Sequence, residues 1–408
     1  MLVMNKKLRI IISEPLLLIA LPISLISLLA IILVKPFIKI RIGLLHCDRI
    51  GHFAANTELY LCEKNLNKSN EKTLDLFYFP RKVCNQQLAS MWERKLHVLP
   101  WFWLRPLCLV VRSFDFLASC RVMEGRGGDR DLDNLLDQVP AHLEFTDEEE
   151  SLGQAILEEM GVPDGEPFVC LTVRDSAYLT QLYKGSNANY HNYRDSNIQN
   201  FILAAESLAD RGYFVIRMGA KVHETLKSNH IRVIDYATNG MRSDFMDIYL
   251  GANCEFCIST STGFDAVPYI FRRPIVFVNS VPLGWFHTSR KQFIAITKHH
   301  FSIQENRELT LQEIFTRRVG FCASSAEYAA NEVDLIENSP EEIRDVVIEM
   351  ADRLKGVFQP MEADEALQRK FWEIFPVEAV GLNGVPLHGE IHSRYGANFL
   401  RENRWWLD

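Results

Sequence analysis

The sequence lacks the features that define several classes of protein. Its 408 residues carry 44 basic and 52 acidic side chains, a formal net charge of -8, so there is no electrostatic reason to expect nucleic acid as a partner. Its nine cysteines are odd in number and scattered, which is typical of free thiols in a reducing compartment rather than of a disulfide framework. The length favours two or three domains, and 48% hydrophobic residues allow a sizeable core.

A metal-ligand pattern is also missing. Cys254 and Cys257 have C-x-x-C spacing, but no second pair follows at zinc-ligand distance and Cys257 lies in an apolar run. The neighbouring His299 and His300 point in different directions on a strand or helix, so one ion rarely takes both. We therefore expect no bound metal.

Charge is absent from residues 15–34, "PLLLIALPISLISLLAIILV". Twenty helical residues span about 30 Å, the thickness of a bilayer core. No small-residue cleavage site follows, so a signal anchor is favoured over a removed signal peptide. Pro22 leaves a kinked or re-entrant helix open, and a buried helix of a soluble domain is the third alternative. Orientation is not given by charge, because three basic residues flank each end (Lys6, Lys7 and Arg9; Lys35, Lys39 and Arg41).

Short apolar runs alternate with helical stretches after this segment. Strands are predicted at 40–45, 73–79 and 95–100, and helices at 51–63 and 86–94. This β-α-β-α-β pattern predicts a parallel sheet covered by helices. The stretch "PWFWLRPL" (100–107) fits either the core or a membrane interface, where Trp and Arg are common.

A second alternating unit follows the Gly-rich, acidic segment 124–150. It opens on "TDEE" (146–149), a capping box, with Gly161 as the matching helix stop. Strands are predicted at 168–173, 213–218, 231–235, 255–259 and 275–279, and helices at about 197–211 (capped by Asp195 or Ser196), 243–252 (capped by Ser243), 263–271, 339–356 and 364–374.

The predicted fold is α/β, with two Rossmann-like, doubly wound domains behind an N-terminal membrane helix. The predicted boundaries are 1–39 for the anchor, 40–145 for an acceptor domain, 146–335 for a donor-binding domain and 336–408 for C-terminal helices and a tail. Ligands of such sheets bind at the carboxyl ends of strands, and the cleft between two domains is the default site.

The loop "HCDRIGH" (46–52) is the first candidate site. Gly51 permits a tight turn from strand to helix. His52, close to the start of the helix, is a side chain suited to abstract a proton near neutral pH, and Asp48 is the other candidate base. The structural alternative makes Asp48 a turn-former and His52 a surface residue. The loop has no G-x-G-x-x-G dinucleotide fingerprint.

The run "STSTG" is the second candidate site, at the end of a strand. Hydroxyls and backbone N–H groups at a helix start suit a phosphate or diphosphate, although Ser and Thr are also preferred as plain N-caps. The residues are Ser259, Thr260, Ser261, Thr262 and Gly263.

Arginines after strands form the third candidate, since guanidinium groups pair bidentately with phosphate oxygens. Arg174 follows one strand, Arg217 and Gly219 close another, and Arg194 precedes a helix. Lys298 is a weaker candidate for ligand contact.

Together these motifs resemble bacterial glycosyltransferases of the GT-B type. More closely, they resemble a family of glycosyltransferases encoded with surface-polysaccharide and lipopolysaccharide genes. The motifs that carry the resemblance include "RIGHFAANTELYL", "FVCLTVRDSAYL", "DIYLGANCEFCISTSTGFDAVPYIFRRPIVFVN" and "RYGANFLREN", and it covers residues 40–400. In the more distant heptosyltransferase-like enzymes a Gly in the first loop precedes an Asp base, whereas here Gly51 precedes His52.

The resemblance implies transfer of a sugar from a nucleotide-sugar co-substrate, without metal or other cofactor, to a glycan acceptor that is lipid-linked. Ser261, Thr262 and Gly263 would hold the donor diphosphate. Because nucleotide sugars are cytoplasmic, the catalytic domains are expected on the cytoplasmic side of the inner membrane. Two alternatives stay open: a nucleotide-sugar epimerase of the same architecture, and a non-catalytic scaffold in a polysaccharide assembly complex.

Overall fold

The computed structural model describes residues 15–66, 72–123, 125, 127–177, 188–381 and 384–408, and their side chains except those of 15–21, 23 and 188–190. The chain divides into two compact units. Unit 1 comprises Met1–Asp129 and Ala141–Glu144, and unit 2 comprises Arg130–Pro140 and Phe145–Asp408.

Unit 1 is built on a parallel sheet of three strands in the order β1-β2-β3. In chain order its elements are α1 (Pro15–Val34), β1 (Lys39–Ile42), α2 (Ile50–Leu66), β2 (Thr73–Phe77), α3 (Gln86–Lys95), β3 (His97–Val98), α4 (Trp101–Ser113) and a 3₁₀ segment, Asp115–Cys120. The alternation that the sequence predicts is therefore present, with the third strand reduced to two residues.

A buried carboxylate on β2 joins side chains of β1 and α2. Asp75, 2% exposed on β2, accepts from Arg41 Nε at 2.6 Å, from Lys64 Nζ at 2.8 Å and from the Tyr60 hydroxyl. Burial alone would raise the pKa of Asp75, but these donors lower it to about 2.

Helix α1 packs on α4 within unit 1. Leu28 and Ile31 of α1 join a core cluster with Leu104, Leu107 and Val111 of α4. The described side chains of α1 begin at Pro22 and continue from Ser24, so the first part of the predicted anchor lies outside them. Among the residues that the structure describes, no helix is long and apolar enough to cross a membrane. The membrane helix is thus not confirmed.

Unit 2 contains a sheet of seven parallel strands in the order β13-β9-β8-β7-β4-β5-β6. Its strands are β4 (Phe168–Thr172), β5 (Phe214–Met218), β6 (Val233–Ile234), β7 (Cys257–Ser259), β8 (Ile275–Phe277), β9 (Phe293–Ala295) and β13 (Arg394–Tyr395). The first six, numbered from β4, follow the order 3-2-1-4-5-6 of Rossmann sheets. The strands β4, β5, β7, β8 and β9 are buried along their whole length, as expected for strands covered on both faces.

The remaining elements of unit 2 surround this sheet. The helices are α5 (Leu135–Gln138), α6 (Asp147–Glu159), α7 (Ile202–Asp210), α8 (Asp244–Asn253), α9 (Ala266–Ile270), α10 (Leu311–Thr316), α11 (Ser325–Ala330), α12 (Pro340–Leu354), α13 (Glu362–Ile374) and α14 (Ala397–Glu402), and 3₁₀ turns cover Ala188–Arg194, Ile198–Phe201, Leu283–Trp285, Val319–Phe321 and Arg404–Leu407. A small antiparallel sheet joins β10 (His299–Ser302) to β11 (Arg307–Glu308) and β12 (Val333–Ile336).

Local hydrogen bonds set several of these boundaries. The predicted capping box opens α6: Glu149 N–H donates to the Thr146 hydroxyl at 3.2 Å, and Thr146 N–H donates to Glu149 Oε2 at 2.9 Å. Ser243 caps α8, as predicted. The predicted helix at 197–211 instead divides into a 3₁₀ turn and α7, and Asn197, not Asp195 or Ser196, accepts from the first turn.

Candidate functional site

The two candidate bases of unit 1 lie on either side of the start of α2. This helix begins at Ile50, so His52 is in its first turn, while Asp48 lies in the loop before it. Asp48 Oδ2 accepts from Arg81 Nη1 at 2.6 Å, and both side chains are partly exposed. Cys47, which precedes Asp48 in this loop, is buried, and burial raises the pKa of its thiol.

His52 is paired with a carboxylate that the sequence did not point to. Its Nδ1 lies 3.4 Å from Oδ2 of Asp129, and both side chains are nearly half exposed. The ring of His46 lies 6.3 Å from that of His52. A carboxylate at Nδ1 orients an imidazole and leaves Nε2 to accept a proton. Asp129 is 77 residues from His52, in the acidic segment that the sequence indicated only as a boundary.

The polar residues of unit 2 collect where β4 and β7 end. These strands are neighbours in the sheet, with Thr172 opposite Ser259, and the strand order reverses between them. Arg174 follows β4, and Thr260 to Gly263 follow β7. The carboxyl ends of strands at such a switch point are where ligands of open α/β sheets bind.

The hydroxyls of the "STSTG" run divide into two kinds. Ser259 and Thr260 are 0% and 1% exposed. Ser259 Oγ donates to Asp265 Oδ2 at 2.9 Å, and Thr260 Oγ1 accepts from the backbone N–H of Arg174 at 2.8 Å. Ser259 thus stabilises the loop after β7, and Thr260 joins it to the start of the loop after β4. Neither side chain is turned outward to a ligand.

The other members of the run are accessible. Ser261 and Thr262 are half-buried and Gly263 is exposed. Ser261 Oγ lies 3.3 Å from Ser280 Oγ, and Thr262 Oγ1 lies 3.2 Å from Thr172 Oγ1. Ser261 has φ 59°, a left-handed conformation that is uncommon for a residue with a side chain and often accompanies function.

The predicted helix at 263–271 is shorter than expected. It is the five-residue α9, which begins only at Ala266. A helix start at Gly263 therefore does not supply the anion site. The donors that remain for a phosphate are the hydroxyls of Ser261 and Thr262 and the backbone N–H groups of Ser261 and Gly263, since the Thr262 N–H donates to Ser259 Oγ at 3.3 Å.

Two arginines lie beside this loop. Arg194 Nη2 donates to the backbone oxygen of Ser261, and its Nε is buried without a hydrogen-bond acceptor among the described residues. Arg174 Nε lies 3.4 Å from Asp195 Oδ1, and its side chain is 13% exposed. The pKa of Asp195 is raised, because the effect of burial exceeds the opposing effect of the nearby Arg174 charge.

Lys298, after β9, is turned to the same edge. It is 4% exposed and its ammonium donates to the backbone oxygen of Asp195 at 2.6 Å. Burial lowers its pKa. Behind it, Asn279 and Asn338 each donate a backbone N–H to the other's side-chain oxygen, at 3.0 and 2.7 Å. These bonds lock the loop after β8 in place.

Arg217 and Gly219 have structural explanations. Arg217 is 1% exposed; its Nη1 donates to the backbone oxygen of Glu224 at 2.8 Å and to Asp235 Oδ1 at 3.1 Å. A Cβ at Gly219 would lie 2.6 Å from Val222, so close packing requires a glycine there. Arg217 is thus paired with Asp235 inside unit 2, and its contact with a donor stays a prediction.

One group of described residues has the composition of a metal site. Ligand atoms of Glu58, Cys62 and His142, all in unit 1, lie within 4.8 Å of one another. His142 Nδ1 lies 3.0 Å from Glu58 Oε1, and Asn65 Nδ2 lies 2.8 Å from His142 Nε2. The amide donates to Nε2, so Nδ1 carries the proton and donates to Glu58. Hydrogen bonds thus join these side chains through Glu58 Oε1.

Comparisons with known proteins give similarity at the level of structure. No protein-family model and no curated protein matches the chain. It is similar to the ADP-heptose lipopolysaccharide heptosyltransferase II of E. coli (14% identity, 60% of this chain and 86% of that one, TM-score 0.36) and to a family 9 glycosyl transferase of Veillonella parvula (13%, 77% and 96%, TM-score 0.44).

A third similar structure is a putative UDP-N-acetylglucosamine 2-epimerase of Listeria monocytogenes (8% identity, 79% and 98%, TM-score 0.29). The first two are glycosyltransferases, the class that the sequence motifs resemble. At these identities and TM-scores no residue role transfers, so each role below is argued from the side chains of this chain.

Proposed function

We propose that this protein is a glycosyltransferase of the GT-B type that transfers a sugar from a nucleotide-sugar donor to an acceptor hydroxyl. One observation carries the proposal: Arg174, Arg194 and the Ser261–Gly263 loop meet at the carboxyl ends of β4 and β7, where the strand order of unit 2 reverses. The sequence resemblance to glycosyltransferases agrees with it.

The donor diphosphate would lie against the accessible part of the loop after β7. Ser261 and Thr262 would offer their hydroxyls there, and Ser261 and Gly263 their backbone N–H groups. Arg174 and Arg194 bring positive charge to the same edge, and partial burial strengthens their attraction to an anion. Ser259 and Thr260, which the sequence placed in contact with the donor, support this loop from inside.

Arg194 is the residue best placed to offset charge on the departing nucleoside diphosphate. It already donates to Ser261, and its partner arginine Arg174 is fixed through Thr260. Preorganised cations aimed at developing charge lower the barrier of such a transfer. These arginines take the part that a metal would otherwise have, so we propose that transfer is metal-independent.

His52 would act as general base, with Asp129 as the residue that positions it. The geometry favours His52 over Asp48 because Asp48 is already paired with Arg81 at 2.6 Å, whereas the Asp129 carboxylate faces Nδ1 and leaves Nε2 available. The base would take the acceptor proton as the hydroxyl oxygen attacks the anomeric carbon and the bond to the diphosphate breaks.

The acceptor is proposed to be a lipid-linked glycan, with the protein at the inner membrane and both units in the cytoplasm. The uncharged segment 15–34 ends five residues before β1, so the sheet of unit 1 lies close in the chain to whatever that segment binds. Because nucleotide sugars are cytoplasmic, both units are proposed to lie on the cytoplasmic side of the membrane.

Ligand-dependent thermal stability tests the donor site. A nucleoside diphosphate that binds only the folded state at 100 times its Kd stabilises by about 2.7 kcal/mol. We expect a rise in Tm with at least one of the diphosphates of uridine, adenosine, guanosine and cytidine. Arg194→Ala should remove this rise, while the exposed Arg404→Ala should keep it. No rise with any of the four at millimolar concentration would refute the donor site.

Activity with the donor identified in this way tests the base. His52→Ala should abolish transfer, and Asp129→Asn should reduce kcat with little change in donor KM, because Asp129 only orients the imidazole. The exposed His97→Ala is the matched control. Full activity in His52→Ala together with loss in Asp48→Asn would move the base to Asp48. Product analysis without acceptor separates an epimerase from a transferase.

A further inference from the structure

The exposed apolar side chains of unit 1 are concentrated in two stretches of the chain. On α1 and the turn after it, the outward residues are Leu25, Ile26, Leu29, Ile32, Leu33, Val34 and Phe37. At α4 and the 3₁₀ segment after it, they are Leu99, Trp101, Phe102, Trp103, Phe114 and Phe116. We call the last five of these, Trp101 to Phe116, the aromatic surface.

Helix α1 lacks the polar outer face of an ordinary surface helix, and α4 begins with three exposed aromatic residues. Leu28 and Ile31 bury one side of α1 in the core cluster, yet Ile26 on another side is 70% exposed. In α4, Leu104 and Leu107 are buried while Trp103 is 53% exposed. A helix that is apolar on both its packed and its outward side is covered by something apolar.

The two stretches belong to one part of unit 1. Helix α1 packs on α4. Lys35 Nζ, just after α1, donates to Ser119 Oγ at 3.0 Å, which ties the end of α1 to the segment that carries Phe116. The elements that carry the two sets of exposed side chains are therefore neighbours.

The charges in this part of the chain identify what covers it. Residues 15–40 and 99–123 contain five basic side chains (Lys35, Lys39, Arg105, Arg112 and Arg121) and one acidic side chain, Asp115, whereas the whole chain carries -8. The Arg105 guanidinium lies 5.8 Å from the Trp101 ring centroid. Aromatic rings beside basic groups suit the headgroup level of a membrane, and the excess of positive charge suits anionic lipids.

We propose that the aromatic surface docks into the headgroup region of a membrane containing anionic lipid, as a second membrane contact beside α1. This rests on the membrane association proposed above and adds to it a binding surface on α4 and the 3₁₀ segment. Docked in this way, unit 1 would be held to the lipid surface at two places, so its candidate base would be presented to an acceptor attached to that surface.

Site-specific photocross-linking of the full chain in native membranes tests this surface. The photoreactive residue p-benzoylphenylalanine replaces Phe102 or Phe116 one at a time, with Trp405 of unit 2 as the matched exposed aromatic control. Phospholipid adducts at 102 and 116, and none at 405, would support the proposal. Adducts to a second copy of the chain or to another protein at 102 would overturn it in favour of a protein interface.

Tryptophan fluorescence quenching gives a second test, with Trp→Phe substitutions that leave the surface apolar. In vesicles of phosphatidylcholine and phosphatidylglycerol with brominated acyl chains, Trp101→Phe/Trp103→Phe should lose most of the quenchable tryptophan fluorescence, while Trp405→Phe should keep it. Equal quenching in both variants would overturn the proposal.

The outcome is separable from those of the other two proposals. The same photoreactive residue at Ile26 reports on α1. Lipid adducts at 26 but none at 102 or 116 would support membrane association through α1 and refute docking of the aromatic surface. The nucleoside diphosphate effect on Tm concerns unit 2 and is measured without lipid.

Discussion

The buried His299 of unit 2 should make the stability of the protein fall between neutral and alkaline pH. Its side chain is 14% exposed, its Nδ1 lies 2.8 Å from Glu308 Oε2, and its Nε2 lies 3.1 Å from Glu342 Oε1. Burial alone would lower the pKa of His299, but the two carboxylates raise it from 6.5 to about 9. The folded protein therefore keeps this proton where the unfolded chain has released it.

The size and sign of the effect follow from that difference. Each pKa unit corresponds to 1.36 kcal/mol, so a pKa raised from 6.5 to about 9 stabilises the protonated folded state by about 3 kcal/mol. Because the folded pKa lies above the unfolded one, this stability is fully present below pH 6.5 and is lost as the pH rises through about 9.

Urea unfolding of wild type and His299→Gln between about pH 6 and about pH 10 measures this contribution. The variant cannot be charged, so it should be less stable at acidic and neutral pH, and the difference should shrink to near zero above the folded pKa. Titrations of groups that do not interact with His299 cancel in the comparison. The exposed His97→Gln is the control and should match wild type throughout. A wild-type to variant difference that stays constant across this range would refute the reasoning.

Three further predictions concern packing and charge. Asp75→Asn should lower the free energy of unfolding by about 3 kcal/mol, since it removes the buried charge that Arg41, Lys64 and Tyr60 share. In wild type the contribution of Asp75 should be present above about pH 4 and lost as the pH falls toward its pKa of about 2; urea and acid titrations check both. EDTA should leave the Tm unchanged while His142→Ala lowers it, because the backbone and the ring of His142 both donate to Glu58 Oε1; a fall in Tm with EDTA would reveal a bound metal. Gly389→Ala should destabilise by about 2 kcal/mol or more, because the new Cβ would lie 1.8 Å from the backbone oxygen of Leu132; a wild-type Tm would contradict it.

Local signals in the sequence predicted much of the fold. The apolar runs of β4, β5, β7 and β8 and the capping box at Thr146 depend on residues a few positions apart, which a single sequence displays. The strands β9 and β13 were not predicted. The two-residue β13 is a strand only because it pairs with β9, a contact between segments about 100 residues apart in the chain. The antiparallel β10–β11–β12 sheet also lacks a continuous apolar run.

The same distinction between local and distant contacts applies to the candidate site. The rule that ligands bind at the carboxyl ends of strands selected Arg174 and the run after β7. It selected Arg217 equally, because the sequence does not show that Asp235 lies close enough to pair with it. Asp129 beside His52 and Arg81 beside Asp48 are likewise brought together only by the fold.

The loop after β7 shows why a cluster of hydroxyls in a sequence overstates the size of a site. A strand that ends in a buried position must satisfy its last polar groups internally. Ser259 and Thr260 do this by bonding to Asp265 and to the backbone of Arg174. Only after the chain turns at Ser261, with φ 59°, are the following groups available to a ligand. The first two hydroxyls thus shape the loop, and the left-handed turn exposes the rest. Substituting Ser259 should therefore cost stability, whereas substituting Thr262 should cost donor affinity.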